Sequence, residues 1–123
     1  MPRILVVDDD EPFRKMLHKS LERAGYEVRD APNGKVALEL DREDPSDLII
    51  TDLIMPEKEG IETIVEFRRI HPDVKIIAIS GGARMNSKVN LAMAQRLGAN
   101  HILAKPFSQQ EILDAIAHVV GER

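Results

Sequence analysis

The 123-residue sequence contains no cysteine and no tryptophan, and its aromatic complement is three phenylalanines and one tyrosine. Without cysteine there is no disulfide framework, which fits a reducing compartment. No apolar run approaches the roughly 20 residues that span a bilayer. The start, Met1-Pro2-Arg3-Ile4, enters a strand-like segment directly and lacks the charged, apolar and small-residue order of a signal peptide, so the expected location is cytoplasmic with no membrane contact. Basic stripes are missing too. With 21 acidic against 17 basic residues and a net charge of -4, the chain has no Lys/Arg cluster interleaved with aromatics, which argues against direct nucleic-acid binding. The length suits one domain covering residues 1–123, large enough to hold a core without staples.

What is present is an alternation. Ile4-Leu5-Val6-Val7, Leu48-Ile49-Ile50-Thr51 and Ile76-Ile77-Ala78-Ile79 are unbroken apolar runs, as expected of strands covered on both faces. Tyr26-Glu27-Val28-Arg29 alternates and His101-Ile102-Leu103-Ala104 begins polar, which suits sheet edges. Between the strands, five stripes recur at helical spacing: Phe13, Met16, Leu17, Leu21 and Ala24; Val36, Ala37 and Leu40; Ile61, Ile64 and Val65; Val89, Ala92, Met93 and Leu97; Ile112, Ala115, Ile116, Val119 and Val120. Gly25 and Gly98 follow helical runs, His71-Pro72 ends another, and Ser108 with Glu111 forms a capping box. This pattern predicts an α/β fold with a doubly wound, five-stranded parallel sheet and five helices. An edge second strand and a central first strand give the flavodoxin-like order 2-1-3-4-5, with its switch point between strands one and three.

The chemistry-bearing residues gather at one edge of this predicted sheet. Asp8-Asp9-Asp10 follows the first strand and Asp52 the third, so both strands flanking the crevice carry carboxylates to its mouth. Such a cluster repels itself unless a cation neutralises it, and hard oxygen ligands suit Mg²⁺. Taken singly, Asp10 before Glu11-Pro12 reads as a helix N-cap and Asp52 as the start of a turn. Ser80 closes the fourth strand before Gly81-Gly82, and Lys105 closes the fifth, where Pro106 either confines its backbone to extended conformations or holds a cis peptide. A flexible turn and a surface lysine are the plain readings of these two. Independent accidents would not sort four such features onto the carboxyl ends of strands one, three, four and five. His18, His71, His101 and His118 lie in separate elements without metal-ligand spacing.

In combination, Ile4-Leu5-Val6-Val7-Asp8-Asp9, Asp52-Leu53-Ile54-Met55-Pro56 with Gly60, Ile79-Ser80, Gly98-Ala99 and Lys105-Pro106-Phe107 resemble the receiver domain of two-component response regulators, along essentially the whole chain. The resemblance implies that Asp52 accepts a phosphoryl group from a sensor histidine kinase or a histidine phosphotransfer protein. It also implies Mg²⁺ held by Asp9, Asp52 and the backbone carbonyl of Ile54, with Asp8 acting through water, and Lys105 and Ser80 contacting phosphoryl oxygens. A switched surface on the fourth helix, fifth strand and fifth helix would then serve an output domain or effector. Such a chain is no enzyme beyond its own phosphorylation and dephosphorylation. Two features depart from the family: Ile102 stands where an aromatic is usual, and the stretch from Ser80 to Lys105 is longer than usual.

A rival reading is a Mg²⁺-dependent phosphohydrolase of haloacid-dehalogenase type with Asp8 as nucleophile, since Asp8-Asp9-Asp10 satisfies its Asp-x-Asp pattern. It leaves Asp52 unexplained and lacks later acidic ligands, because Glu111 and Asp114 fall inside a helix. A flavin-binding or pure interaction module on the same fold is the third, and the scarcity of aromatics at the crevice speaks against a flavin.

Overall fold

The computed structural model describes residues 2–53, 59–80, 92, 95–96 and 98–121. Strands β1 (Arg3–Val7), β2 (Glu27–Ala31), β3 (Leu48–Asp52), β4 (Lys75–Ser80) and β5 (His101–Ala104) form one parallel sheet in the order β2-β1-β3-β4-β5. The helices α1 (Glu11–Arg23), α2 (Gly34–Glu43), α3 (Glu59–Ile70) and α4 (Gln109–Val120) cover its two faces. The unbroken apolar runs now have their physical reason. Leu5, Val7, Ile49, Ile76 and Ala78 pack on one face with Ala37, Ile64 and Phe67 of α2 and α3. Ile4, Val6, Leu48, Ile50, Ile77 and Ile79 pack on the other with Leu17 and Leu21 of α1 and Ile112, Ala115, Ile116 and Val119 of α4. Each Ile or Leu buried this way contributes about 1.5–3 kcal/mol relative to exposure.

The sheet order, the central runs and both edge strands match the sequence expectations. Several details differ. β2 is Glu27–Ala31 rather than Tyr26–Arg29, because its pairing with β1 runs from Arg3↔Glu27 to Val7↔Ala31. Met16, Ala24 and Val65 are exposed, so the buried rows pass beside them: Leu17 and Leu21 carry the inner face of α1, and Ile64 with Phe67 that of α3. Four helices are present among the described residues; the fourth predicted helix, on Val89, Ala92, Met93 and Leu97, falls largely outside them.

Helix ends are set by local chemistry. Asp10 caps α1 by accepting from Phe13 N at 3.2 Å, with Pro12 in the first turn. Ser108 and Glu111 form the expected capping box on α4, at 3.0 and 2.7 Å. Beyond α3, the Arg68 guanidinium donates to the carbonyls of Pro72, Val74 and Gly98 and to Asn100 Oδ1. Asn100 Oδ1 also accepts from Ile76 N, so one arginine ties α3 to β4 and to the approach of β5. Gly98 allows this. Its φ is +124°, and an added Cβ would lie 2.8 Å from Arg68 Cγ. Gly98→Ala is therefore expected to cost about 1–3 kcal/mol, read as a lower urea midpoint with an unchanged m-value.

Candidate functional site

The carboxyl ends of β1, β3 and β5 meet at one pocket. Asp8 follows β1 directly and is 1% exposed; its backbone N–H donates to Ala31 O at 3.1 Å, and its Oδ1 accepts from Asp10 N at 2.9 Å. Asp52 closes β3 at 5% exposure. Asp9 is exposed, yet carboxylate oxygens of Asp8, Asp9 and Asp52 all lie within 4.8 Å of one another. Immediately after β5, Lys105 Nζ reaches Asp52 Oδ2 at 3.1 Å and Asp8 Oδ2 at 3.3 Å. The Lys105-Pro106 peptide is cis. The structure thus joins Asp8, Asp9, Asp52 and Lys105, all named from the sequence. Ser80 ends β4, pairing with Ala104 next to Lys105. The Ile54 carbonyl lies outside the described residues.

Among the described residues three clustered carboxylates meet the one ammonium of Lys105. Burial pushes the Asp8 carboxyl up to about 6; the Asp10 N–H opposes the rise, Asp52 adds to it, and Lys105 opposes it. Burial by itself would lower Lys105, but Asp52 and Asp8 outweigh it and hold the ammonium charged above the usual lysine range. The excess of anionic oxygen, all of it hard donor atoms, fits a divalent cation such as Mg²⁺.

A pH dependence follows. An acid whose folded pKa is raised above its unfolded value of about 3.9 contributes stability fully present below that value and lost as pH rises through the folded one. Without added cation, the wild type is expected to lose about 1–2 kcal/mol relative to Asp8→Asn between about pH 4 and 6. Urea unfolding of both proteins in chelator across that window checks it; parallel curves would contradict the raised value.

Two neighbours were not singled out in the sequence. Phe13, which its spacing places among the α1 core residues, lies under Lys105 Nζ with 4.0 Å to the ring centroid. Arg14 is 7% exposed, with Nη1 donating to Asp8 O at 2.9 Å and Nε to Asp30 Oδ1 at 3.0 Å. The available signal for Arg14 was its position three residues before Leu17 and seven before Leu21, at the head of the buried row.

The model of the response regulator receiver domain matches residues 4–117. The chain belongs to that receiver family. Among similar proteins, CpdR of Brucella abortus, a response regulator receiver protein, is 37% identical over 94% of this chain and 94% of its own length. The chemotaxis protein CheY of Thermotoga maritima is 36% identical over 95% and 96%. NtrC of Azospirillum brasilense, a DNA-binding transcriptional regulator, is 35% identical, but the chain spans only 24% of its length. A receiver-domain protein from Clostridium thermocellum superposes with a TM-score of 0.89 at 29% identity, covering 98% of this chain and 94% of that one. The receiver domain of Brucella abortus NtrX gives 0.89 at 25% identity, covering 95% and 97%.

As a receiver the protein is a phosphoacceptor switch of two-component signalling, and the phosphohydrolase alternative built on Asp8 is not supported. Receivers bind Mg²⁺ through an acidic pocket, and they pair with histidine kinases and output domains. Among the described residues no helix is long and apolar enough to cross a membrane.

Proposed function

We propose that Asp52 is the phosphoacceptor of this receiver. The observation that carries the reading is the convergence of Asp52, Asp8 and Lys105 at the carboxyl ends of β3, β1 and β5, with both carboxylates buried and within salt-bridge distance of the ammonium. A carboxylate oxygen of Asp52 attacks the phosphorus of a phosphohistidine on a sensor kinase or phosphotransfer protein. The new P–O bond forms as the donor's P–N bond breaks, and the imidazole leaves with the electron pair. Lys105, already aimed at Asp52, pairs with an equatorial phosphoryl oxygen, and the hydroxyl of Ser80 donates to another. Asp8, Asp9, Asp52 and the Ile54 carbonyl are the groups that would hold Mg²⁺, which offsets the negative charge that builds when two anions approach.

The phosphorylated form presents a changed surface on the fourth predicted helix, β5 and α4 to an output domain or effector, without direct contact to nucleic acid or membrane. Residues 1–123 act as one receiver unit in the cytoplasm, and the only chemistry catalysed is phosphorylation and dephosphorylation of the chain itself. Two or three charge-assisted contacts made only in the phosphorylated state supply the few kcal/mol that a switch between two states needs.

The direct test is incubation with Mg²⁺ and a small phosphodonor, then borohydride trapping and peptide mass spectrometry. One acid-stable, base-labile phosphoryl group on Asp52 is expected. A phosphoryl group on Asp8, with turnover of a phosphate ester, would restore the hydrolase reading.

A further inference from the structure

Among the described residues the Lys105 ammonium has neighbours of two kinds: the carboxylates of Asp8 and Asp52, and the face of Phe13, whose centroid lies 4.0 Å from Nζ. The carboxylates are also the candidate cation ligands, so a divalent ion competes with the ammonium for the same lone pairs. The ring does not enter that competition. An aromatic face attracts an ammonium through its quadrupole without neutralising it, and Mg²⁺, which surrenders its water reluctantly, is no rival for that face. Phe13 is also fixed in place. Its ring meets Phe107 edge to face at 6.0 Å and 85°, and its backbone N–H is the one that caps on Asp10. The acidic run that supplies the pocket therefore also anchors the turn that delivers the ring.

We infer that Phe13 is a positioning residue for phosphoryl transfer, its ring face holding the Lys105 ammonium over Asp52 when a cation occupies the carboxylates. This rests on the reading of Asp52 as acceptor and Lys105 as its phosphoryl contact. The residue type matters more than its bulk: leucine fills similar space without a quadrupole, whereas tyrosine keeps the face.

Two measurements test it. In cation-free protein, NMR of isotope-labelled lysine, with Lys105 assigned by its absence in Lys105→Arg, is expected to show Lys105 ε-protons shifted upfield by the ring. The shift should vanish in Phe13→Leu and persist in Phe13→Tyr. In single-turnover phosphorylation by a small phosphodonor at saturating Mg²⁺, Phe13→Leu should be about three- to tenfold slower, as expected for loss of a partly desolvated cation–π contact, and Phe13→Tyr should recover most of the rate. Stepwise fluorination of the Phe13 ring, which weakens the quadrupole at nearly constant shape, covers the case in which the leucine variant folds poorly; the rate should fall with each fluorine. An unshifted Lys105 in the wild type, a wild-type rate in the leucine or fluorinated proteins, or a tyrosine variant as slow as leucine would overturn the assignment. An adduct that survives Asp52→Asn would instead defeat the acceptor reading, and the Lys105 shift distinguishes the two failures because it needs no phosphorylation.

Discussion

Asp52→Asn is expected to abolish the phosphoryl adduct, a loss exceeding about 10³-fold in rate, or about 4 kcal/mol in the barrier. The amide has nearly the shape of the carboxylate but lacks the anionic oxygen that attacks phosphorus, and its nitrogen lone pair is delocalised. The substitution should not be explained by unfolding. Asp52 shares one ammonium with Asp8, and removing one of two buried carboxylates relieves repulsion that raises Asp8. Loss of the Asp52–Lys105 ion pair offsets that relief, so the variant should unfold at a urea midpoint close to the wild type's while remaining unmodified by the phosphodonor. An Asp52→Asn protein that takes up label at the wild-type rate would move the acceptor to Asp8 or Asp9.

The second large effect concerns stability. Arg14→Met is expected to cost about 2–4 kcal/mol, because it strands Asp30, whose side chain is 8% exposed. Arg14 Nε holds Asp30 Oδ1 at 3.0 Å, His18 Nδ1 lies 2.5 Å from Oδ2, and Lys15 Nζ reaches Oδ1 at 3.4 Å. His18 and Lys15 remain in the variant, which keeps the expected loss below that of a wholly unpaired ion. Burial pushes the Asp30 carboxyl up, but His18, Arg14 and Lys15 outweigh it, and the net direction is down. Stability from such a lowered acid is present above its unfolded value of about 3.9 and lost as pH falls through the folded one. The penalty of Arg14→Met should accordingly shrink as pH falls below the unfolded value and Asp30 becomes protonated. Combining it with Asp30→Asn at pH 7 should recover at least about 1 kcal/mol in a double-mutant cycle. Additive losses would show that Arg14 acts through its contact with Asp8 O alone.

The parts of the fold that periodicity controls were legible, because a two-sided parallel sheet demands apolar residues at successive positions and amphipathic helices at intervals. The pocket carboxylates and Lys105 were legible for a different reason: parallel strands all deliver their carboxyl ends to one edge, so strand order makes Asp8 and Asp52 neighbours and sets Lys105 on the same edge, from which its long side chain reaches both. What stayed hidden were polar groups whose partners are far away in sequence. Arg14 looks like any charged residue on a helix, and nothing local indicates that Asp30 and the Asp8 carbonyl await it. Asp41 is similar. It reads as the polar side of α2 but is 3% exposed, accepts from Ser46 N at 2.7 Å and faces His71 Nδ1 at 3.1 Å. Phe13 was seen as apolar, which it is, but sequence spacing does not reveal which cation rests on its ring.

The pocket's parts are far apart along the chain: Lys105 lies 53 residues after Asp52 and 97 after Asp8. During synthesis, β1, β2 and β3 are made before the strand that leads into the lysine, and contacts of such long sequence separation form late. A nascent chain paused after β4 would own both buried carboxylates but not the ammonium between them. The last strand in the sequence is the one that leads to the lysine and completes the site, so competence to accept a phosphoryl group requires the sheet to be assembled to its final strand.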